Sequence, residues 1–188
     1  MKEYWLTRQC TRFFPRCFAL IQKSGDFVVR REIKNGVVME TRQCSRLMII
    51  NEKNELLLFQ YKDEHSKDPF WATAGGELKP GEIYLEAAKR ELFEETGLEC
   101  EIGSLVMERE DVFAVARSVP ALWQEQYYLV ECSSESEVFA AAWTEEEKST
   151  IQRWKWWSLE EAQNEDISFK PECIPNLFSE IIRSRSVA

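Results

Sequence analysis

The chain has few residues that could build a metal centre from nitrogen or sulfur ligands. Its 188 residues include a single histidine, His65, and no Cys-x-x-Cys pair. A zinc site of the usual spacing is therefore not predicted. Scattered cysteines favour reduced thiols and a cytoplasmic location, because disulfides are rare in that compartment. The cysteines are Cys10, Cys17, Cys44, Cys100, Cys132 and Cys173.

Long apolar runs and an excess of positive charge are also missing. No stretch approaches the roughly 20 apolar residues that span a bilayer, and the N-terminus lacks the apolar segment of a signal peptide, so no membrane partner is expected. The 24 basic and 33 acidic residues give a net charge of −9. Because Lys and Arg contacts to phosphate dominate affinity for long nucleic acid, we expect no such partner. The negative charge does not exclude a small nucleotide as a ligand, since a metal ion can screen the charge of its phosphates.

The pattern of apolar segments predicts an α+β fold, because strand-like runs outnumber helical ones. The hydrophobic fraction of 44% is enough for a core in one domain. Thr144 and Ser158 each precede glutamates and favour helix starts. The other predicted elements are a hairpin of residues 46–51 and 55–61, strands near 70–73, 100–107, 111–116, 125–131 and 154–157, and a terminal helix at 174–183.

Residues 76–98, GELKPGEIYLEAAKRELFEETGL, carry the strongest signal. Pro80-Gly81 ends a loop, and Leu85, Ala88 and Leu92 then recur at helical spacing. Gly97 stands where a glycine commonly ends a helix. We therefore predict a loop, a helix and a second loop.

Three glutamates crowd one side of this predicted helix. At 100° per residue, Glu91, Glu94 and Glu95 fall within about 100° of arc beside the apolar stripe. A glutamate run most often marks a solvated face, and like charges at this spacing destabilise a helix slightly. A bound hard cation would make this crowding of negative charge favourable. Mg²⁺ prefers oxygen ligands and takes one or two carboxylates together with phosphates.

The segment matches the Nudix box at every defined position: Gly76, Glu82, Arg90-Glu91, an apolar residue, two glutamates, glycine and an apolar residue. The chain therefore resembles the Nudix hydrolases, chiefly bacterial ones, over about residues 44–165. The resemblance implies a mixed β-sheet sandwiched between helices, with the box as a loop-helix-loop. It also implies hydrolysis of a pyrophosphate bond in a nucleoside diphosphate linked to another moiety, with Mg²⁺ or Mn²⁺.

The resemblance also implies roles for the acidic residues. Glu91 and Glu95 would bind the metal most directly, and Glu94 would be a ligand or the catalytic base. Arg90 would hold Glu82 and so fix the loop against the helix. Without the resemblance, an ion pair with Glu86 or Glu94, four residues away on either side, would explain Arg90.

Two further features of the site are predicted outside the helix. Gly75 and Gly76 would let the backbone approach phosphates or metal closely. Glu125 opens a predicted strand where the family often places an extra carboxylate, so it could complete the metal site or act as base. The alternative is a solvent-facing strand residue.

The substrate is less constrained. Family markers for ADP-ribose (a proline near Ala114), dinucleoside polyphosphates, coenzyme A and NADH are missing, which leaves nucleoside triphosphates or nucleotide sugars. An isopentenyl-diphosphate isomerase needs several metal-binding histidines. His65 is the single histidine of this sequence, so that activity is not expected. A non-catalytic Nudix-fold nucleotide sensor or interaction module is the alternative function.

Residues 1–43 lie outside the resemblance and are predicted to form a β-rich extension to a Nudix domain at 44–188. Asn35-Gly36 between β-rich runs favours a hairpin within a meander. Some family members exchange an N-terminal sheet between subunits, which motivates a homodimer hypothesis. A natural start at Met39 is the competing interpretation, and mass spectrometry of the native protein would distinguish the two.

Overall fold

The computed structural model describes residues 20–24, 27–34, 37–62, 68–113, 120–164 and 166–186; His65 lies outside these ranges. The elements in chain order are β1 (Leu20–Ser24), β2 (Phe27–Lys34), β3 (Val37–Asn51), β4 (Leu56–Tyr61), β5 (Phe70–Ala72), β6 (Ala74–Glu77), α1 (Tyr84–Thr96), β7 (Ile102–Phe113), β8 (Ala121–Cys132), α2 (Glu145–Thr150), β9 (Ile151–Trp157), α3 (Leu159–Ala162) and α4 (Ile174–Arg185).

The strands of the described residues form one mixed sheet organised around β3. This strand pairs antiparallel with β2, β4 and β6 and parallel with β8. Strand β8 also pairs with β7, and β4 with β5 and β9. The predicted hairpin is the β3–β4 pair, whereas the two strands predicted between residues 100 and 116 are the single strand β7, with register shifts.

Helices cover both faces of the sheet. Because side chains alternate along a strand, Leu47 and Ile49 of β3 face one side and Met48 and Ile50 face the other. The first pair packs in a core with Leu92 of α1, and the second pair packs in a core with α3 and α4 residues that include Phe178. The predicted α+β fold, a mixed sheet between helices, is confirmed.

The predicted box helix is α1. It ends at Gly97, whose φ of 70° is left-handed and whose N–H donates to the carbonyl oxygen of Phe93. Ala88 and Leu92 are buried as predicted, but Leu85, in the first turn of the helix, is 37% exposed. The buried arc instead includes Glu91 and Glu95.

The N-terminal strands form a meander, in which β1 pairs with β2 and β2 pairs with β3. Strand β3 runs from Val37 to Asn51 without a break, so the predicted boundary at residues 43–44 falls inside a strand. The separate extension and the homodimer stay predictions. Among the described residues, every helix is too short or too polar to cross a membrane.

Candidate metal and active site

Three carboxylates meet beside the C-terminal half of the box helix. Glu91 and Glu95 of α1 are 6% and 3% exposed, and Glu147 of α2 is half-buried beside them. One oxygen from each of the three lies within 4.8 Å of the others. Oxygen ligands at such mutual distances suit a divalent cation such as Mg²⁺.

The first turn of α2 holds Glu147 in place. Thr144 is the N-cap residue, and its hydroxyl accepts a hydrogen bond from the Glu147 amide at 3.2 Å. In return, the Thr144 amide and hydroxyl donate to Oε2 of Glu147 at 2.6 and 2.8 Å. The predicted helix start is confirmed, and the same reciprocal cap fixes the orientation of a carboxylate of the site.

The segment before α2 is attached to the carboxyl end of α1. The amides of Phe139 and Ala142 donate to the carbonyl oxygens of Thr96 and Glu94 at 3.0 and 2.9 Å. These bonds use carbonyl groups that a helix end leaves without partners. They bring α2 beside the box helix, although the two elements are far apart in sequence.

Burial disfavours the ionised forms of Glu91 and Glu95. Burial, and then the neighbouring Glu91 carboxylate, raise the pKa of Glu95 to about 8. Burial also raises the pKa of Glu91, although Arg90 acts in the opposite direction. Both ionised forms are therefore disfavoured until positive charge arrives. This donor set fits the divalent metal that Nudix hydrolases generally use.

Arg90 connects the box loop to the box helix. Its Nε and Nη2 donate to the two oxygens of Glu82 at 2.6 and 2.8 Å, and Nη2 also donates to the carbonyl oxygen of Glu77. Its Nη1 donates to Glu91. The Arg90 guanidinium lowers the pKa of Glu82 to about 2. The structure thus brings together the two residues that the resemblance pairs, and their part in catalysis stays a prediction.

Glu94 shares Arg90 with Glu82 and Glu91 but also pairs with Lys79. Its carboxylate accepts hydrogen bonds from Arg90 at 3.0 Å and Lys79 at 3.2 Å. It does not belong to the group formed by the three carboxylates described above. The expected role as ligand or base would require exchange of one of these cationic partners.

Gly75 and Gly76 lie in β6, directly against the carboxylates. The Gly75 amide donates to Oε2 of Glu95 at 2.7 Å. Gly75 has a φ of +135°, and a Cβ there would overlap the carbonyl oxygen of Ser45. A Cβ on Gly76 would overlap the carboxylate of Glu91. The absence of a side chain therefore allows close contact of Gly75 with the backbone of β3 and of Gly76 with the Glu91 carboxylate. The approach of this backbone to phosphate or metal stays a prediction.

Glu125 is placed on β8 and is 3% exposed. Its two oxygens accept hydrogen bonds from Arg46 Nε at 3.0 Å and Arg109 Nη1 at 2.7 Å, and the Tyr127 hydroxyl donates to it at 3.3 Å. Burial opposes its ionisation, but Arg46 and Arg109 outweigh burial and hold its pKa below the usual range. The solvent-facing alternative is wrong.

Sequence reasoning missed Glu147 as a residue of the site. The Thr144–Glu147 capping pattern predicted a helix start, but no local pattern shows that this start lies beside Glu91. Only the attachment of the preceding segment to α1 brings the carboxylates together.

The fold and the box agree with a family-level match. The NUDIX domain family model matches residues 41–177. The chain belongs to the Nudix family. Its relatives include an RNA pyrophosphohydrolase of Roseobacter denitrificans, 34% identical over 89 residues, which are 46% of this chain and 54% of that protein. A putative 8-oxo-dGTP diphosphatase of Bacillus subtilis is 42% identical over 55 residues, 29% of this chain and 34% of that protein.

Both of these alignments span less than two thirds of the curated relative. Among solved structures, the solution structure of the E. coli ORF135 protein matches with a TM-score of 0.55 and 25% identity, covering 79% of this chain and 94% of that one. The Nudix fold therefore extends over most of the chain.

Proposed function

We propose that this Nudix protein hydrolyses a pyrophosphate bond in a nucleoside diphosphate linked to another moiety, using Mg²⁺ or Mn²⁺. The observation that carries the proposal is the meeting of Glu91, Glu95 and Glu147 within 4.8 Å. Two of these carboxylates are buried, and burial raises the pKa of each above its ordinary value. Such an arrangement costs stability without a cation and is explained by one.

The three carboxylates would hold the cation. When bound, the cation would neutralise charge on the phosphoryl oxygens and activate a water molecule. Arg90 keeps the loop that carries Glu82 against α1, so this loop would form a fixed side of the site. Glu94 is our candidate base in preference to Glu125, because the Glu94 side chain is 32% exposed whereas that of Glu125 is 2% exposed and paired with two arginines. To act as base, Glu94 would have to release Arg90 or Lys79.

Nucleoside triphosphates are our first substrate class, with nucleotide sugars second. A relative named as an 8-oxo-dGTP diphosphatase supports the first class. Another is named as an RNA pyrophosphohydrolase, so a 5′-triphosphorylated RNA belongs in any test. The net charge of −9 argues against extensive contact with a long RNA. The cytoplasmic location and the homodimer remain part of the proposal, to be tested by cell fractionation and size-exclusion chromatography.

The test is phosphate release from a nucleotide panel, coupled to a phosphatase, with and without Mg²⁺ and Mn²⁺. The panel holds nucleoside triphosphates, nucleotide sugars, ADP-ribose, dinucleoside polyphosphates and the RNA. We expect metal-dependent release that falls at least about tenfold in Glu91→Gln and Glu95→Gln, a loss of about 1.4 kcal/mol or more in transition-state stabilisation. Nucleotide binding without turnover would instead support the sensor alternative.

A further inference from the structure

A half-buried arginine contacts Gly75 beside the candidate metal site. Arg46 is on β3, with its side chain 22% exposed. Its Nε donates to Oε1 of Glu125 at 3.0 Å, and its Nη1 donates to the carbonyl oxygen of Gly75 at 3.2 Å. The guanidinium therefore links the Glu125 carboxylate to the backbone of β6.

The same glycine contacts a predicted metal ligand. The Gly75 amide donates to Oε2 of Glu95 at 2.7 Å. A φ of +135° makes this conformation unfavourable for any residue with a side chain. Gly75 thus accepts a hydrogen bond from Arg46 through its carbonyl oxygen and donates one to Glu95 through its amide, so both bonds hold the same residue.

We propose that Arg46 is a positioning residue for Glu95. Anchored by Glu125, it fixes Gly75 so that the Gly75 N–H holds one oxygen of Glu95 and leaves the other for the cation. This inference rests on the proposed function, since it needs Glu95 to be a ligand. It also gives Glu125 a role at a distance from the cation, through Arg46.

The chain offers a matched control. Arg109 also donates to Glu125, at 2.7 Å. Its other charged partner is Asp111, and none of its described hydrogen bonds reaches β6. Loss of either arginine therefore removes one ion pair from the same buried carboxylate, but only loss of Arg46 removes the bond to Gly75.

The experiment measures Mn²⁺ binding by calorimetry to substrate-free wild-type protein, Arg46→Met and Arg109→Met, with thermal unfolding of each. We expect the Mn²⁺ Kd to rise about tenfold or more in Arg46→Met and less than about threefold in Arg109→Met, the former being the effect usual for groups that orient a metal ligand. Both variants should unfold at a lower temperature, because each weakens the pairing of Glu125.

Arg46→Met combined with Glu125→Gln covers the case in which the single variant does not fold, since it leaves no unpaired buried charge. It should bind Mn²⁺ as weakly as Arg46→Met. Equal loss of Mn²⁺ affinity in Arg46→Met and Arg109→Met would overturn the inference. So would wild-type Mn²⁺ affinity in Arg46→Met with only KM for the nucleotide raised, which would mark a substrate contact. Wild-type protein that binds no Mn²⁺ would overturn the proposed metal site itself.

Discussion

The indole N–H of Trp143 donates a 3.0 Å hydrogen bond to the carbonyl oxygen of Glu95. The ring also packs edge-on against Phe59 and Trp154, at centroid distances of 6.4 and 5.9 Å. Trp143 directly precedes the Thr144 cap of α2. It therefore ties the element that carries Glu147 to the helix that carries the other two carboxylates.

Trp143→Phe should loosen this connection while keeping an aromatic ring. Loss of the N–H leaves the Glu95 carbonyl oxygen short of a partner, and we expect a stability loss of about 1 kcal/mol. Mn²⁺ affinity should fall as well, because Glu147 is less well held. Trp154→Phe is the control, since it alters the same aromatic contacts without touching Glu95. A similar Mn²⁺ Kd in both variants would show that the hydrogen bond does not position the site.

Gly76→Ala should damage the metal site more than the fold. The added Cβ meets the carboxylate of Glu91, which is the movable end of a side chain. We expect Mn²⁺ affinity to fall about tenfold or more as Glu91 is displaced. Gly81→Ala is the control, because it has a φ of +86° but no atom within 4 Å of the new Cβ. It should cost about 1 kcal/mol of stability and leave Mn²⁺ binding unchanged. Unaltered binding in Gly76→Ala would contradict the structure.

The pH dependence of stability should report on Glu95. Its pKa is raised from 4.5 to about 8 in the folded protein. Between these values the native state keeps a proton that the unfolded state has released, so the metal-free protein loses stability as pH rises through this window. The loss should reach a few kcal/mol.

Urea unfolding of metal-free wild type and Glu95→Gln across this window is the measurement. The wild type should lose more stability than the variant as pH rises, because the amide does not ionise. Saturating Mg²⁺ should reduce the wild-type loss, since metal binding favours the ionised carboxylate. Identical pH profiles for the two proteins would contradict a buried, titrating Glu95.

Local signals predicted the box helix well. Its glycine C-cap at Gly97 depends on short-range backbone chemistry, and so does the Thr144 cap of α2. Sequence spacing also placed Glu91 and Glu95 together, whereas Glu94 lies outside the group that they form with Glu147. Spacing did not show that Glu91 and Glu95 are buried while Leu85 is exposed, because contacts with other segments decide which part of the helix is covered.

Contacts between distant segments could not be predicted. Glu125 was expected to begin a strand near the site, and the structure places it inside β8. Its partners, Arg46 and Arg109, come from two other strands, so the pairing depends on sheet register. Glu147 reaches the site through the hydrogen bonds between the preceding segment and α1, and no pattern near Glu147 encodes them.

The most direct test of the three-carboxylate site is a Mn²⁺ titration of wild type, Glu147→Gln and Glu145→Gln, followed by both binding and turnover. Glutamine at 147 keeps an oxygen that can accept the Thr144 hydrogen bonds but removes the charge. Glu145 lies on the same short helix, exposed and paired with Lys148 at 2.7 Å. We predict that Glu147→Gln raises the Mn²⁺ Kd about tenfold or more and that Glu145→Gln matches wild type. Wild-type binding and turnover in Glu147→Gln would contradict the account.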